Sequence, residues 1–388
     1  MIFIAMSGNL VRGNTIRDSI GEEGIALKGD IRLILLACRS QARLLYQHIT
    51  VEDFEPSNRA IFVNITSRDS HVQSNLLREL TVLKRFLAKT MVLILLPILC
   101  SSAHAGEAGH IVGYTLQPSA IDPEVKNFND PSYVFIDVSA PKDRPLVLFL
   151  TGTRGQPRGI AEFLKWIAQQ GYRVIGLEYN DSPAVAEVCP QDPDPTCAEA
   201  FRQMRVLGDG PSRSVTNPPS EAIVRRLNVA LKALALGRPK DGWDQYLVGG
   251  APAWDRIVVS GMSQGAGMAA YIAKVHPVAR VVLFSSPWDS TGRSQQPAPW
   301  LSAPSATPPE RWYAEYHHRE NTAQLLQRAY EALRIPTDHV YVFDLDVPKG
   351  SRSNSVANPF HVDTISNPGY AAQWKVMFGE PSSLGAAP

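Results

Sequence analysis

The chain has 388 residues, of which 44% are hydrophobic and 19% charged, and its formal net charge at pH 7 is +1. This is an ordinary globular composition, long enough to bury a large core in one or two domains. The near-neutral balance, without a block of like charges, argues against a nucleic-acid partner and gives no field to steer a highly charged one.

Residues 82–105 contain the three regions of an export signal in the required order. A positive flank at residues 84–89 precedes an unbroken apolar run at residues 91–99, and Ala103 and Ala105 are the small residues that a signal peptidase reads. The run is too short for a transmembrane helix, which needs about 20 apolar residues. We therefore predict a signal peptide and a periplasmic or secreted protein, the alternative being a buried helix of a cytosolic domain.

An export signal works near the start of a chain, so we interpret residues 1–81 as an over-extended N-terminus and assign them no function. The mature protein is then expected to begin near Gly106. Lipid modification of Cys100 is the alternative processing event. Leu99 stands before it, however, where lipoprotein signals have a small residue.

Cys189 and Cys197 are the cysteines that remain in the predicted mature chain, and they close a short loop rich in Pro and Asp. In an oxidising compartment, this spacing favours a disulfide. A metal site is the alternative, but no further Cys or His lies nearby to complete a tetrahedral set of ligands.

Strand and helix patterns alternate through Gly106–Pro388, which has the size of a single domain. Strands are predicted at residues 133–138, 145–150, 172–179, 256–260, 280–285, 312–316 and 339–343. Helices are predicted at residues 160–170, 221–236, 265–275, 323–333 and 370–378. Near-continuous apolar strands between amphipathic helices indicate an α/β fold with a mostly parallel sheet covered on both faces. Residues 180–220 interrupt the alternation and are predicted to form a lid or pocket wall.

The sequence Gly-Met-Ser-Gln-Gly at residues 261–265 directly follows one predicted strand and opens a helix of small residues. This is the setting of a nucleophile elbow, in which a tight turn exposes the hydroxyl of Ser263. The glycines are needed because side chains at Gly261 and Gly265 would collide with the neighbouring strand and helix. A structural turn with an inert serine is the alternative.

The stretch RIVVSGMSQGAGMAAYIAKVHPVARVVLFSSPWD at residues 256–289 resembles the nucleophile segment of secreted bacterial and plant α/β hydrolases. It resembles cutinase-like and lipase-like esterases more distantly, and the resemblance covers most of Gly106–Pro388. The α/β-hydrolase fold and a Ser–acid–His triad are what it implies. It carries over no particular substrate.

The oxyanion hole of such an enzyme uses the N–H of the residue after the nucleophile, here Gln264, and a second backbone donor. Relatives carry a His-Gly pair where this chain has Thr-Gly-Thr-Arg-Gly at residues 151–155. We expect Thr153 or a close neighbour to supply the second N–H. A simple Gly-rich turn is the alternative.

The general base is expected after the last strand, where His361 is the candidate histidine. His276 is predicted to end the nucleophile helix, and His110 and His339 to lie at strand starts, where a surface or capping role is expected.

Two positions compete for the triad acid. Glu320 is the first choice because it follows the strand predicted at residues 312–316, where relatives place the carboxylate. If that segment is instead part of a cap, Asp289 after the preceding strand takes the role. Asp344 and Asp346 are more distant rivals. The carboxylate that is not used is expected to cap a helix or remain a surface charge.

The sequence therefore predicts an exported serine hydrolase that forms an acyl-enzyme on Ser263 and uses no metal or organic cofactor. Its partner is an ester substrate, either small or polymeric. A peptidase or acyltransferase with the same triad is one alternative, and a secreted binding protein that keeps the fold is another. Trp288, Trp300 and Trp312 are candidates for an apolar pocket, although ordinary packing is the simpler reading of each one.

Overall fold

The structure, a computed structural model, describes residues 2–7, 48–53, 61–66, 110–291 and 295–381. The predicted signal peptide at residues 82–105 lies outside these ranges. The chain divides into two units, Met1–Ala105 and Gly106–Pro388.

Three short strands of the first unit form a mixed sheet. The strand Ile61–Thr66 is central, with Ile2–Ser7 parallel to it on one side and His48–Asp53 antiparallel on the other.

Eight strands of the second unit form one large sheet. In chain order they are β1 (Ile111–Leu116), β2 (Ser132–Asp137), β3 (Leu146–Leu150), β4 (Arg173–Leu177), β5 (Ile257–Met262), β6 (Arg280–Phe284), β7 (Trp312–His317) and β8 (Val340–Phe343). Their order across the sheet is β8-β7-β6-β5-β3-β4-β2-β1. Strand β2 is antiparallel to both of its neighbours, whereas β3 to β8 are all parallel. This is the strand order of the α/β-hydrolase fold, so the predicted fold class is confirmed.

Helices follow most of these strands. They are α1 (Pro118–Ile121), α2 (Ala161–Gln169), α3 (Val185–Val188), α4 (Cys197–Leu207), α5 (Ile223–Gly237), α6 (Gln264–Val275), α7 (Pro299–Ser302), α8 (Ala323–Ala332), α9 (Pro359–Asp363) and α10 (Ala371–Phe378). Two pairs of two-residue strands, Leu247–Val248 with Ala251–Pro252 and Ser290–Thr291 with Gln296–Pro297, form small antiparallel ladders. None of the helices in the described part of the chain has the length and hydropathy of a membrane-spanning segment.

Hydrophobic cores cover both faces of the large sheet. Alternate residues of a strand point to opposite faces, so in β3 Leu148 joins one core and Phe149 the other. The first core includes residues of α4, α5, α6 and α8, and the second includes residues of α2 and α10. The central strands β3 and β5 are consequently buried along their whole length, as their apolar sequences predict.

The predicted strands and helices are all present, with ends shifted by one or two residues. The elements of the second unit that were not predicted are the edge strand β1, the helix α4, the short helices α1, α3, α7 and α9, and the two-residue strands. Residues 180–220 contain α3, α4 and the short helical turn that begins at Pro219, so the segment is an excursion with structure of its own.

Candidate active site

Ser263 lies at the turn between β5 and α6. Its φ of 54° and ψ of −126° place it in a region that residues with a side chain rarely occupy. A Cβ atom at Gly261 would lie 2.7 Å from the carbonyl oxygen of Leu150, and one at Gly265 would lie 2.1 Å from the same oxygen. Such contacts are too short to be tolerated, so the turn requires glycine at both positions. The backbone has the geometry of a nucleophile elbow with Ser263 at its tip.

Two backbone N–H groups are candidates for the oxyanion hole. One belongs to Gln264, the first residue of α6, and the other to Thr153 in the loop after β3. Neither donates a hydrogen bond to an acceptor within the described residues. The loop contacts the serine directly, because a Cβ atom on Gly152 would lie 3.0 Å from the Cβ atom of Ser263. The sequence positions chosen for the hole are therefore next to the elbow.

Buried polar groups hold the loop after β3 in place. The hydroxyl of Tyr179 donates a 2.8 Å hydrogen bond to the carbonyl oxygen of Thr151. Oδ2 of Asp181 accepts a 3.0 Å bond from the N–H of Gly155, and burial raises the pKa of this carboxyl to about 6. These two bonds fix the backbone of the loop.

His361 and Glu320 are in direct contact. Nδ1 of His361, in α9, lies 2.6 Å from Oε2 of Glu320, in the loop after β7. Oε1 of Glu320 accepts a 2.6 Å bond from the hydroxyl of Ser285 and a 2.9 Å bond from the N–H of His317. These bonds fix the carboxylate, which in turn holds the imidazole by Nδ1 and leaves Nε2 for proton transfer.

No hydrogen bond joins the hydroxyl of Ser263 to the His361 ring, although the structure describes both residues. The bond between a nucleophile and its base often forms only when substrate is in place. Ser263 directly follows β5, and His361 lies in α9 after β8, so the two residues follow parallel strands of one sheet that β6 and β7 separate.

A second carboxyl group is buried next to Glu320. Glu315, in β7, is completely buried, and Ser285 donates to its Oε1 at 3.4 Å as well as to Glu320. Burial and the neighbouring Glu320 charge raise the pKa of Glu315 well above its ordinary value. The direction of this shift favours the neutral form of Glu315, whereas Glu320 is the carboxyl that contacts the histidine.

Asp289, the alternative acid, does not contact His361. It forms a buried ion pair with Arg202 of α4, in which Nη2 lies 2.7 Å from Oδ1 and Nε lies 3.0 Å from Oδ2, and both side chains are 1% exposed. Nε1 of Trp300 donates a further 3.0 Å bond to Oδ2. The expectation that the unused carboxylate caps a helix or lies on the surface is wrong, because this one balances a buried arginine.

Arg202 also reaches the elbow, since its Nη1 donates to the carbonyl oxygen and to the side-chain oxygen of Gln264 at 3.0 and 3.2 Å. The more distant rivals for the acid are on the surface. Asp344 is exposed, and Asp346 pairs with Arg319 at 2.7 Å.

The other candidate histidines lie away from the triad. His276 ends α6 and stacks on Trp254, with ring centroids 4.6 Å apart. His339 precedes β8 and stacks on Tyr313 at 4.0 Å, and His110 is an exposed residue before β1.

The three candidate tryptophans have different surroundings. The ring of Trp288 packs edge-on against His361, with centroids 5.4 Å apart. Trp300 is buried and its Nε1 donates to Asp289. Trp312 is a core residue whose Nε1 donates to the carbonyl oxygen of Thr307. Only Trp288 of these three therefore faces the candidate active site.

The predicted disulfide is present between Cys189 and Cys197, whose Cα atoms are 5.6 Å apart. It links the end of α3 to the first residue of α4. The linked segment forms one wall of a cleft of about 430 Å³, and Trp288 and Asp289 belong to the opposite wall.

Several residues of the site were not identified from the sequence. Ser285 and Arg202 act on the site through contacts with residues 35 and 62 positions away along the chain, so no local pattern marks them. Ser285 does carry one signal, because it directly follows a buried strand at the same sheet edge as Ser263.

No protein-family model matches this chain, and no curated protein is similar to it in sequence. Some solved structures are similar. Esterase B from Lactobacillus rhamnosis, inhibited by a tributyrin phosphonate, is 10% identical with a TM-score of 0.43, over 82% of this chain and 96% of that chain. Thermogutta terrifontis esterase 2, phosphoramylated by tabun, is 13% identical with a TM-score of 0.35, over 70% and 96%. The protein TT1662 from Thermus thermophilus is 16% identical with a TM-score of 0.37, over 72% and 99%. These values support no conclusion about a reaction, and the fold assignment depends on the strand order.

Proposed function

We propose that this protein is a serine hydrolase that cleaves a carboxylic ester through an acyl-enzyme on Ser263. The observation that carries the proposal is the backbone of Ser263, whose positive φ occurs at the serine that the sequence motif selects. Strain of this kind persists only when the surrounding structure imposes it, and it is concentrated at functional sites.

In the proposed mechanism, His361 takes the proton of Ser263 as the serine oxygen attacks the acyl carbon. The N–H groups of Gln264 and Thr153 stabilise the negative charge that develops on the carbonyl oxygen. His361 then gives its proton to the leaving alcohol, and an acyl-enzyme remains. Water attacks this ester with the same histidine as base, which releases the acid and restores the serine. Glu320 stabilises the imidazolium without accepting its proton.

We also propose that the protein is exported, with Gly106 near its mature start. The Cys189–Cys197 bond supports this, since disulfides persist in oxidising compartments and are rare in the cytosol.

A substrate panel tests the reaction class. The purified full chain is given aryl esters, matched aryl amides, and an ester together with an alcohol acceptor. The proposal expects hydrolysis of esters at a rate at least about a hundredfold above that of the amides. Faster amide cleavage would identify a peptidase, and transfer to the alcohol in place of hydrolysis would identify an acyltransferase. A protein that turns over none of these substrates would fit the binding-protein alternative.

A further inference from the structure

The cleft of about 430 Å³ is formed by the disulfide-linked segment and by the loop after β6. Val185 and Ala198 line one side, from α3 and α4, and Trp288 lines the other. Leu325 of α8 also contributes to the wall. Binding sites for small molecules have volumes of about 300–1,000 Å³, so the cleft has the size of such a site.

The cleft adjoins the reacting groups on two sides. Trp288 packs on the His361 ring, with centroids 5.4 Å apart. The N–H of Val185 donates a 3.3 Å bond to the side chain of Gln264, the residue that follows the nucleophile. A group attached to a carbonyl carbon at Ser263 is therefore within reach of the cleft.

Among the lining residues that the structure describes, the cleft carries no unbalanced charge. Asp289 is the one ionisable side chain among its lining residues in the described part of the chain, because Cys189 is in the disulfide. Its carboxylate is already neutralised by Arg202 and hydrogen-bonded by Trp300. The remaining lining groups are apolar or, like Gln191, polar and uncharged. A charged group would lose its hydration there without gaining a partner of opposite charge.

We propose that this cleft binds an uncharged organic group of the ester, so that the enzyme prefers neutral esters with one substituent of medium size. The inference depends on the proposed function. A liquid water molecule occupies about 30 Å³, so the volume corresponds to a group of roughly ten non-hydrogen atoms once incomplete filling is allowed for. The group is carried either by the acid or by the alcohol of the ester, and the experiment separates these two sources.

Two variants of the full chain narrow the cleft at residues of two different helices. Ala186→Trp changes an exposed residue of α3 that lines the cleft, and Leu325→Trp changes a half-buried residue of α8. Ala306→Trp is the matched control, because Ala306 is exposed and does not line the cleft. Hydrolysis is measured for aryl esters with acyl chains from acetyl to decanoyl, and for acetate esters of alcohols from ethanol to octanol. In addition, one pair of esters compares a neutral acyl group with an acyl group of equal length that ends in a carboxylate.

At least one narrowing variant is expected to lower kcat/KM about tenfold or more for the long members of one series, and less than about twofold for the acetyl esters that fit any pocket. The series affected shows whether the acid or the alcohol enters the cleft. The control should match wild type in both series. Wild type should cleave the neutral ester at least about tenfold faster than its carboxylate partner.

The inference is overturned if both variants keep the wild-type size profile in both series, or if wild type prefers the anionic ester. Either result leaves the proposed function intact, because esters are still cleaved. A wild-type protein that cleaves no ester would instead refute the proposed function and this inference together.

Discussion

Two carboxyls of the candidate site, those of Glu315 and Glu320, are buried in different environments. Glu320 receives bonds from Ser285 and from the backbone of His317, and it contacts His361. Glu315 receives a longer bond from Ser285 and a side-chain bond from Thr364, and burial beside Glu320 raises its pKa. This difference in environment supports the proposal that Glu320 is the triad acid, independently of its sequence position.

We predict that Glu320→Gln lowers kcat by about three orders of magnitude or more and changes KM little. The amide favours the wrong imidazole tautomer and does not stabilise the imidazolium that forms in the transition state. Glu315→Gln is the matched control. Burial beside Glu320 raises the pKa of Glu315, and a glutamine has the shape and charge of a protonated glutamate, so this variant should retain kcat within about tenfold. Steady-state kinetics of both variants decide the assignment, and equal losses in the two would contradict it.

The rival carboxylate Asp344 is tested in the same way. Asp344→Asn should leave kcat unchanged, since the side chain is exposed. Asp289→Asn is a poor kinetic test because it leaves Arg202 with a buried, unbalanced charge, and it should lower stability first.

The side chain of Arg202 packs against helix α6 and restricts which residues the helix can have there. A Cβ atom on Gly267 would lie 2.2 Å from Nη2 of Arg202, the atom that is paired with Asp289. The small residues at the start of α6 therefore leave room for the guanidinium of Arg202, which extends from α4 to the nucleophile elbow. There it donates hydrogen bonds to Gln264.

We predict that Gly267→Ala lowers the free energy of unfolding by roughly 3 kcal/mol, because the methyl group displaces the arginine from its ion pair. Gly237→Ala is the control, since Gly237 ends helix α5 and nothing lies within 4 Å of an added Cβ atom. That change should be neutral or stabilise by up to about 1 kcal/mol. Denaturant titration of both variants measures the difference, and an unchanged midpoint for Gly267→Ala would show that the contact is not rigid.

The disulfide between Cys189 and Cys197 joins α3 to α4. Replacing Cys189 and Cys197 together by alanine should lower the free energy of unfolding by about 2–3 kcal/mol, because a short closed loop restricts the unfolded chain. Urea titration of the double variant checks this value. Mass spectrometry of the non-reduced exported protein provides the independent check, and two free thiols at these positions would contradict the bond.

The fold of the second unit was predictable from its central strands, which are apolar along their length and separated by helices. The edge strand β1 was missed because only half-buried and exposed residues alternate in it and a glycine interrupts it. Helix α4 was missed because two arginines, Arg202 and Arg205, lie on its buried face and hide its apolar pattern. The acid stayed ambiguous because Asp289 and Glu320 both follow strands at the same sheet edge, and only Arg202, distant in the sequence, separates them.

The proposed export signal at residues 82–105 determines where the mature protein begins. We predict that the protein, as secreted by the cells that produce it naturally, begins near Gly106. N-terminal sequencing of the exported protein measures this start, and variants with Lys84, Arg85 and Lys89 changed to glutamate should accumulate unprocessed because the positive flank is lost. An exported protein that retains residues 1–105 would contradict the proposal.

Covalent labelling identifies the nucleophile of a serine hydrolase. A fluorophosphonate probe is added to the full chain, and the modified peptide is mapped by mass spectrometry. We predict that the probe labels one residue, Ser263, at the positive-φ turn after β5. It also predicts that Ser263→Ala is unlabelled and keeps less than about a thousandth of the ester hydrolysis, with its fold unchanged. Labelling of another serine, or hydrolysis by Ser263→Ala above that level, would contradict it.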